Sequence, residues 1–555
     1  MDNHISEPGS IASATDSITV SVIGSALATI VDEMSRVLVK AGYSTSIKER
    51  KDVSTAIMDP GGLIIAQAAH QPAHLGSLLG ITRRLLETYS REDIQPGDVF
   101  IGNDAYEGGG THLNDIVFIE PVFIDGEIRA WITNIAHHAD FVERGHAHIF
   151  QEGLRIPPVR LYAKGELQKE VLDLILLNCQ VPRERVNDFR AQKAANIAGM
   201  NRFVQLCEKY TYPVVREASV AILDHTEKRT RAGIRKIANG TYSYAGLLDS
   251  GRYDSILELK VSIEVRDEDI IMDFRGNPSQ VRGPINLTYM GLLATVYYAV
   301  KVLVDPDVPA NAGFQRPITV LADPGTIVCS SAPAAVYSRT DTAERLCDLI
   351  FSALAPAVPE YSLAASTGRG LLTLSGIDPR SGRYYVYNES MGGGEGAHMT
   401  RDGATAVQTA VSNSHNIPVE VVEAEYPLQI VSYELATDSG GAGKWRGGLS
   451  YRRKLRVMGH EAKAAIAGNC LREPSWGLDG GLPGSLGARE TSADVEPFVN
   501  GRGVVSSGQT VAFTPSGGGG YGDPRDRDPE LVKRDVREGK VSREVAREVY
   551  GVSEV

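Results

Sequence analysis

The chain is long and acidic. Its 555 residues suffice for two or three domains with substantial cores. A net charge of −12, with no basic run longer than 48–51, argues against nucleic acid and anionic membranes as partners. The five cysteines are dispersed and form no CxxC pair, as in proteins of a reducing compartment. Because no signal peptide or membrane span is evident, we expect a cytoplasmic protein.

The first predicted elements are a long helix, two short strands and a second helix. Apolar residues recur at helical spacing over 15–41, where Thr15 or Asp16 is placed to cap the helix. Two apolar segments then flank a turn at 59–62. A shorter helix is predicted over 81–89.

A β-hairpin is predicted after these elements. The segments 116–123 and 128–135 are rich in β-branched and aromatic residues. An Asp-Gly pair at 125–126 separates them, and this pair is a strong signal for a two-residue turn.

Pairing of these two strands brings two imidazoles and a carboxylate together. His112 and Asp115 begin the first strand, and His137 ends the second. These ligand types suit a divalent metal such as zinc, manganese or iron, and three protein ligands leave an open position, as in catalytic sites. A water molecule in that position would have a lowered pKa. The alternative is that the histidines are polar turn residues or satisfied core side chains.

Helices are predicted over 167–210 and 214–237. One face of the first region carries a stripe of polar and small residues, which we expect to face solvent rather than to line a pocket. The stripe consists of Asp188, Gln192, Ala195, Gly199 and Arg202.

Beyond residue 239 the pattern changes. Alternation of apolar and polar residues over 240–273 predicts an antiparallel sheet. Helices are predicted over 289–303 and 343–354. Arg339 and Asp341 precede the second of these, where capping is a safer explanation than anion binding.

The last part is strand-rich to about residue 513 and ends in a glycine-rich link and a charged helical hairpin. Pro529 is placed at the start of the hairpin, and Ser542 caps its last helix. The sequence thus predicts an α+β fold of multi-layer mixed sheets with helices, a strand-rich C-terminal half and a C-terminal helical hairpin. The predicted regions are 1–240 around the metal site, 241–513 of mixed α+β structure with antiparallel strands, and 514–555 as link and tail.

Two short segments at either end of the predicted β-hairpin carry a distinctive pattern. They are Gly-Gly-Thr-His-Leu-Asn-Asp at 109–115 and Ala-His-His-Ala-Asp at 136–140. Together they closely resemble the hydantoinase B/oxoprolinase family, the B-type subunits of ATP-dependent hydantoinases, lactamases and oxoprolinases, which is related to the acetone carboxylase large subunit. The metal ligands that the resemblance implies are His112, Asp115 and His137, with His138 and Asp140 as neighbours.

An upstream segment resembles the same family. A Ser-x-x-x-x-Glu-Arg-x-Asp-x-Ser pattern begins at Ser44, and a His-x-x-x-His-Leu-Gly pattern begins at His70. The resemblance implies that this segment forms a second wall of the active site, with Glu49, His70 and His74 as candidate catalytic residues. A hairpin whose polar residues only cap turns is the alternative.

The function implied by the resemblance is metal-dependent opening of a cyclic amide, namely a hydantoin, lactam or 5-oxoproline ring. A partner A-type subunit with an actin-like ATPase fold would use ATP to phosphorylate the amide, so a hetero-oligomer is expected. This chain has no Gly-Lys-Ser/Thr phosphate loop of its own. Water activated at His112, Asp115 and His137 would attack the ring, with His138 or His74 as general acid or base.

Two other functions remain open from the sequence. In an ATP-dependent ketone carboxylase of the acetone or acetophenone type, the same metal would position bicarbonate or an enol phosphate, although the large subunit of such enzymes is longer. A non-catalytic scaffold subunit would carry structural histidines and no stoichiometric metal.

Overall fold

A computed structural model describes residues 15–74, 76, 78–106, 109–138 and 146–554. These residues form twelve α-helices and four β-sheets, so the predicted α+β class is confirmed. No helix within these ranges is both long and apolar enough to cross a membrane. The helices α1 to α12 are Ser17–Ala41, Thr45–Lys48, Leu79–Thr88, Lys169–Leu177, Pro182–Tyr210, Tyr212–Ile234, Tyr289–Val304, Ala312–Gln315, Arg339–Leu354, Val419–Glu425, Pro529–Arg537 and Arg543–Glu548.

The strands of the described residues divide into one sheet of seven and three sheets of four. The orders are β2-β1-β5-β4-β3-β6-β7, β11-β10-β9-β8, β13-β12-β16-β18 and β14-β15-β19-β17. Strands β1 to β19 are Val53–Met58, Ile64–Ala69, Val99–Gly102, Asp115–Ile124, Glu127–His137, Val159–Ala163, Glu166–Leu167, Gly240–Leu248, Leu257–Arg266, Asp269–Asp273, Ile318–Leu321, Gly370–Ile377, Tyr384–Met391, Leu428–Leu435, Tyr451–Val457, Ala462–Gly468, Ala488–Thr491, Arg502–Val505 and Thr510–Thr514.

Most predicted elements occur where the sequence places them. Asp16 caps α1, since its side chain accepts hydrogen bonds from the backbone N–H groups of Ile18 and Thr19. The tail forms the predicted hairpin, in which Ser542 accepts a hydrogen bond from the N–H of Val545. Helix α9 begins four residues earlier than predicted. The division into three regions stays a prediction.

The seven-stranded sheet is covered by helices on both faces. Ile57 and Ile132 pack against α1 and α5 on one face. Trp131 and Ile135 pack against α3 on the other. Adjacent strand residues point to opposite faces, so a residue's position along β4 or β5 decides which helices its side chain meets.

The predicted turn joins the two central strands of this sheet. Asp125 and Gly126 have φ angles of 53° and 75°, the left-handed backbone that a two-residue turn of this kind requires. Asparagine, aspartate and glycine adopt that conformation most readily. The Asp-Gly pair therefore sets the register that aligns the far ends of β4 and β5.

The other three sheets build two further cores. The β8–β11 sheet packs against α7 and α9. The two remaining sheets share one core, contributed by strands β12 to β16, β18 and β19. Helix α9 is buried along its length, and its first residue, Arg339, contacts Asp115 of the seven-stranded sheet.

Glycine-rich segments of the C-terminal half pack backbone against backbone. A Cβ atom on Gly394 would lie 1.8 Å from the carbonyl oxygen of Gly448, and one on Gly517 would lie 1.6 Å from that of Ser439. No side chain fits at either position. The glycines thus allow loops to approach one another closely.

We expect Gly394→Ala and Gly517→Ala to lower the midpoint of thermal unfolding by roughly 5 °C or more, because fixed backbone atoms occupy the place of the added methyl group. Gly24→Ala is the matched control. It lies in α1, and the nearest atom to its added methyl is the flexible Cδ1 of Ile222 at 3.3 Å. An unchanged midpoint in both loop variants would contradict the observed packing.

Candidate metal centre

The two ends of the β4–β5 hairpin lie side by side. Asp115, the first residue of β4, pairs in register with His137, the last residue of β5. His112 occupies the turn before β4, where its carbonyl oxygen accepts a hydrogen bond from the N–H of Asp115 at 3.1 Å. This turn folds the chain back, so that the His112 ring reaches the carboxylate three residues later. The predicted pairing is confirmed.

Three potential ligand atoms converge there in a buried position. His112 Nε2 lies 3.1 Å from Asp115 Oδ1 and 3.2 Å from His137 Nδ1. His137 Nδ1 lies 3.4 Å from the same carboxylate oxygen. The three residues are only 1–4 % exposed. Within the described ranges, no other group of three histidine, cysteine or acidic side chains is arranged to hold a metal ion.

These separations fit a single divalent ion. Two ligand atoms about 2.0–2.2 Å from one ion, at angles of about 90–110°, lie about 2.8–3.6 Å apart. All three measured separations fall in that range. Two imidazole nitrogens and one carboxylate oxygen also form a donor set that suits zinc, manganese or iron. The residues present therefore fit the predicted metal.

Arg339 fixes the second oxygen of Asp115. Its Nη2 donates to Asp115 Oδ2 at 2.9 Å, and its Nε donates to Thr111 Oγ1 at 2.8 Å. Thr111 Oγ1 in turn donates to the same Oδ2 at 3.1 Å. With Oδ2 occupied in this way, Oδ1 faces the two imidazoles. Arg339 thus orients the carboxylate and does more than cap α9.

The protonation states favour metal binding. Burial opposes ionisation of Asp115, but His112 and Arg339 outweigh it and hold the pKa of this carboxyl well below its usual range. Burial and the charge of Arg339 lower the pKa of His112 to about 3. Burial also lowers the pKa of His137. Near neutral pH the set consists of one carboxylate and two neutral imidazoles, the forms that bind metals.

His138 lies on the opposite face of the sheet from this set. Its Nε2 lies 3.1 Å from Gln192 Oε1, and its Nδ1 contacts the guanidinium of Arg185. Both partners belong to α5. Since consecutive strand residues point to opposite faces, His137 and His138 cannot both reach the same centre from this strand.

His74 lies on the same face as the three ligands. Its Nε2 is 3.9 Å from Asp115 Oδ2, and its Nδ1 is 2.9 Å from the hydroxyl of Ser54 on β1. The ring is buried, which lowers its pKa. The predicted second wall therefore reaches the centre through His74.

Glu49 and His70 are not part of the three-residue set. Glu49 is half-buried at the end of α2, while the neighbouring Arg50 is fully buried, with its Nη2 3.4 Å from Asp52 Oδ2. His70 is half-buried beyond β2, and its carbonyl oxygen accepts a hydrogen bond from Asn413. Asp140, the other predicted neighbour, lies outside the described residues.

The expectation that the polar stripe of α5 faces solvent is wrong for four of its five members. Asp188 and Gln192 have no exposed surface, and Arg202 is the one member that is exposed to solvent. Gln192 Nε2 donates to the carbonyl oxygen of Ile116 at 2.8 Å. Asp188 accepts hydrogen bonds from the backbone N–H groups before α2. Asp188 and Gln192 are thus buried because they bond to polar atoms of the segment before α2 and of the hairpin.

Arg339 is the residue of the centre that sequence reasoning missed. It stands 224 positions after Asp115, at a helix start where capping is an adequate local explanation. The sequence did offer a signal, because an arginine just before the predicted helix 343–354 can bind an anion as well as cap the helix. That anion is Asp115.

Known proteins resemble this chain over most of its length. The model of the Hydantoinase B/oxoprolinase family matches residues 16–524. An uncharacterized protein of Methanocaldococcus jannaschii is 36% identical, over 97% of this chain and 96% of its own. The caprolactamase subunit beta of Pseudomonas jessenii is 31% identical, over 97% and 96%.

Two solved structures share the fold. The ATP-dependent caprolactamase from Pseudomonas jessenii superimposes with a TM-score of 0.87 at 30% identity, covering 97% of this chain and 96% of that one. Nucleotide-free acetone carboxylase gives a TM-score of 0.86 at 19% identity, covering 96% and 79%, a likeness of fold alone. The chain belongs to the hydantoinase B/oxoprolinase family.

Proposed function

We propose that this chain is the hydrolytic subunit of an ATP-dependent cyclic amidase that opens a hydantoin, lactam or 5-oxoproline ring. The observation that carries the proposal is the buried His112–Asp115–His137 set, in a chain that the family matches over most of its length. An A-type ATPase subunit is the proposed partner. The name of the caprolactamase relative as a subunit beta supports a complex of unlike subunits.

Phosphorylation solves the chemical difficulty of the reaction. An unstrained amide resists attack by water, whereas an amide phosphorylated on oxygen is an activated electrophile. Addition of water to its carbon, with cleavage of the C–N bond, opens the ring. A second water then releases phosphate from the acyl group. The products are a carboxylate, phosphate and an amine, or a ureido group where the ring is a hydantoin.

His112, Asp115 and His137 would hold a divalent ion in this reaction, and Arg339 would keep Asp115 in place. That ion would supply Lewis acidity and lower the pKa of a water molecule. Arg339 keeps Asp115 ionised and directs one of its oxygens toward the imidazoles. Arg339 Nη1 is buried and has no hydrogen-bond partner among the described residues, so one donor remains for a substrate oxygen.

His74 is the proposed proton-transfer residue. Its buried ring is neutral near pH 7, and its Nε2 lies on the ligand face. A neutral imidazole can take a proton from attacking water and return it to the leaving amine. The hydroxyl of Ser54 orients the ring through Nδ1. His138 is engaged with Arg185 and Gln192 on the other face, so we assign it a positioning role.

Elemental analysis of the purified chain tests the centre. We expect about one divalent ion per chain, lost in His112→Ala and Asp115→Ala because two ligands alone bind weakly. His225→Ala is the control, since His225 is exposed on α6. If the wild type holds no metal even after reconstitution, the histidines are structural and the scaffold function takes first place.

Turnover of the chain with an A-type subunit, ATP and a panel of cyclic amides tests the reaction. We expect ring opening that needs ATP and both subunits and does not need bicarbonate, because water is the nucleophile in both steps. Ring opening is followed by the appearance of primary amine from a lactam or 5-oxoproline and of a ureido acid from a hydantoin. Bicarbonate-dependent consumption of a ketone, with no amine formed, would instead establish the carboxylase.

His74→Gln tests the proton transfer. We expect turnover to fall by about 10²–10⁴-fold while the metal content stays at the wild-type level, because His74 is not among the ligands. His225→Gln is the matched control and keeps full activity. Unchanged turnover in His74→Gln would remove His74 from the mechanism, and loss of metal would make it a ligand.

A further inference from the structure

A cleft of about 630 Å³ opens beside the metal centre and is lined by five arginines. We define it as the arginine cleft; its arginines are Arg252, Arg282, Arg472, Arg489 and Arg502. One wall comes from the loop after β8 and from residues 282–284. The other comes from β12, β16 and the segment that leads into β18.

The arginine cleft reaches the metal centre through two stacked rings. His146 and Tyr337 both line it, with ring centroids 4.5 Å apart. The Tyr337 ring lies 6.0 Å from that of His112. Tyr337 also stands two residues before Arg339, which bonds Asp115. The Tyr337 ring therefore lies between the inner end of the cleft and the ligand set.

The cleft keeps an excess of positive charge. Asp341 and Asp249 each bond one arginine, Arg252 and Arg472 respectively. Asp254 is the one carboxylate among the lining residues. More basic than acidic groups thus face the cleft, so an anion entering it is favoured.

Three of the arginines have no carboxylate partner among the described residues. They are Arg282, Arg489 and Arg502. Arg489 is half-buried, its Nη2 donates to the carbonyl oxygen of Gly251 at 3.2 Å, and its Nε has no hydrogen-bond partner. Arg282 and Arg502 are exposed. Guanidinium groups of this kind bind phosphate through paired, charge-assisted hydrogen bonds.

The floor of the cleft is apolar. Leu371, Ile466 and Leu471, with the alanines at 465 and 467, line it beside the arginines. A ligand with a small hydrocarbon body and an anionic group would bury the body there and place the anion on the guanidiniums. An inorganic ion would use the arginines alone.

We propose that the arginine cleft captures the activated cyclic amide by its phosphoryl group, before the ring moves on to the adjoining metal centre. This inference rests on the proposed function, and it assigns the phosphoryl group of the substrate a first binding site on this chain. Arg489 and Arg502 are the principal phosphate contacts. Both are substrate-binding residues in this proposal. Neither contacts the metal ligands.

Binding of inorganic phosphate to the isolated, metal-loaded chain, measured by isothermal titration calorimetry, tests the site. We expect Arg489→Gln and Arg502→Gln each to weaken binding by about tenfold or more. Arg456→Gln is the matched control, because it removes the same charge from a residue that bonds Gln429 outside the cleft, and we expect it to leave phosphate binding unchanged. We expect His112→Ala also to retain phosphate binding. Because this assay needs no turnover, its outcome is independent of the proposed hydrolysis.

Two outcomes would overturn the proposal. One is that phosphate does not bind the wild-type chain at millimolar concentration. The other is that binding survives in both cleft variants but is lost in His112→Ala, which would place phosphate on the metal. Melting curves of all variants, compared with that of the wild type, separate loss of the site from loss of the fold.

A second measurement distinguishes the activated substrate from released phosphate as the occupant. In the complex with the A-type subunit, the cleft variants are expected to hydrolyse more ATP per ring opened, because the activated amide escapes before its ring is cleaved. If that ratio stays at the wild-type value while inhibition by added phosphate weakens, the cleft holds only the released product, and the proposal is wrong.

Discussion

The buried ion pair between Arg339 and Asp115 decides how the centre is built. Removing two charges from water costs several kcal/mol per ion, so such a pair persists only where further hydrogen bonds satisfy it. Here Thr111 supplies them, since its hydroxyl donates to the carboxylate and accepts from the guanidinium. One carboxylate oxygen is thereby fully engaged, and the other is left for the imidazoles. The same pair attaches α9 to the hairpin, so the middle of the chain and the seven-stranded sheet form one site.

The period of two along β5 is the second constraint. It places His137 with the ligands and His138 with Arg185, although the two are neighbours in sequence. This separation could have been predicted, because a correct strand assignment already implies it. The family motif places the two histidines side by side and gives no indication that they point to opposite faces. The hairpin, its turn and the meeting of His112, Asp115 and His137 were predictable for a related reason. They depend on local turn chemistry and on antiparallel register, both of which a short segment specifies.

Features that depend on distant partners could not be predicted in the same way. A polar helix face is usually solvated, and the face of α5 is buried only because the hairpin presents polar atoms to it. Arg339 is a comparable case, since its partner is 224 positions away. The glycine-rich loops stand between these extremes. The glycine content predicts that these loops approach other backbone closely. Which loops meet depends on how the last two sheets pack.

The arginine cleft and the metal centre make complementary use of charge. A divalent ion at the three ligands would keep most of its positive charge, because Asp115 contributes one negative charge and is already paired with Arg339. A phosphate near such an ion would compete with water for the open position. Guanidiniums beyond Tyr337 offer the phosphate a separate place to bind. The two adjoining sites would therefore act in turn. The arginines capture the anion without filling the open position, and the ring carbon then meets water at the metal centre.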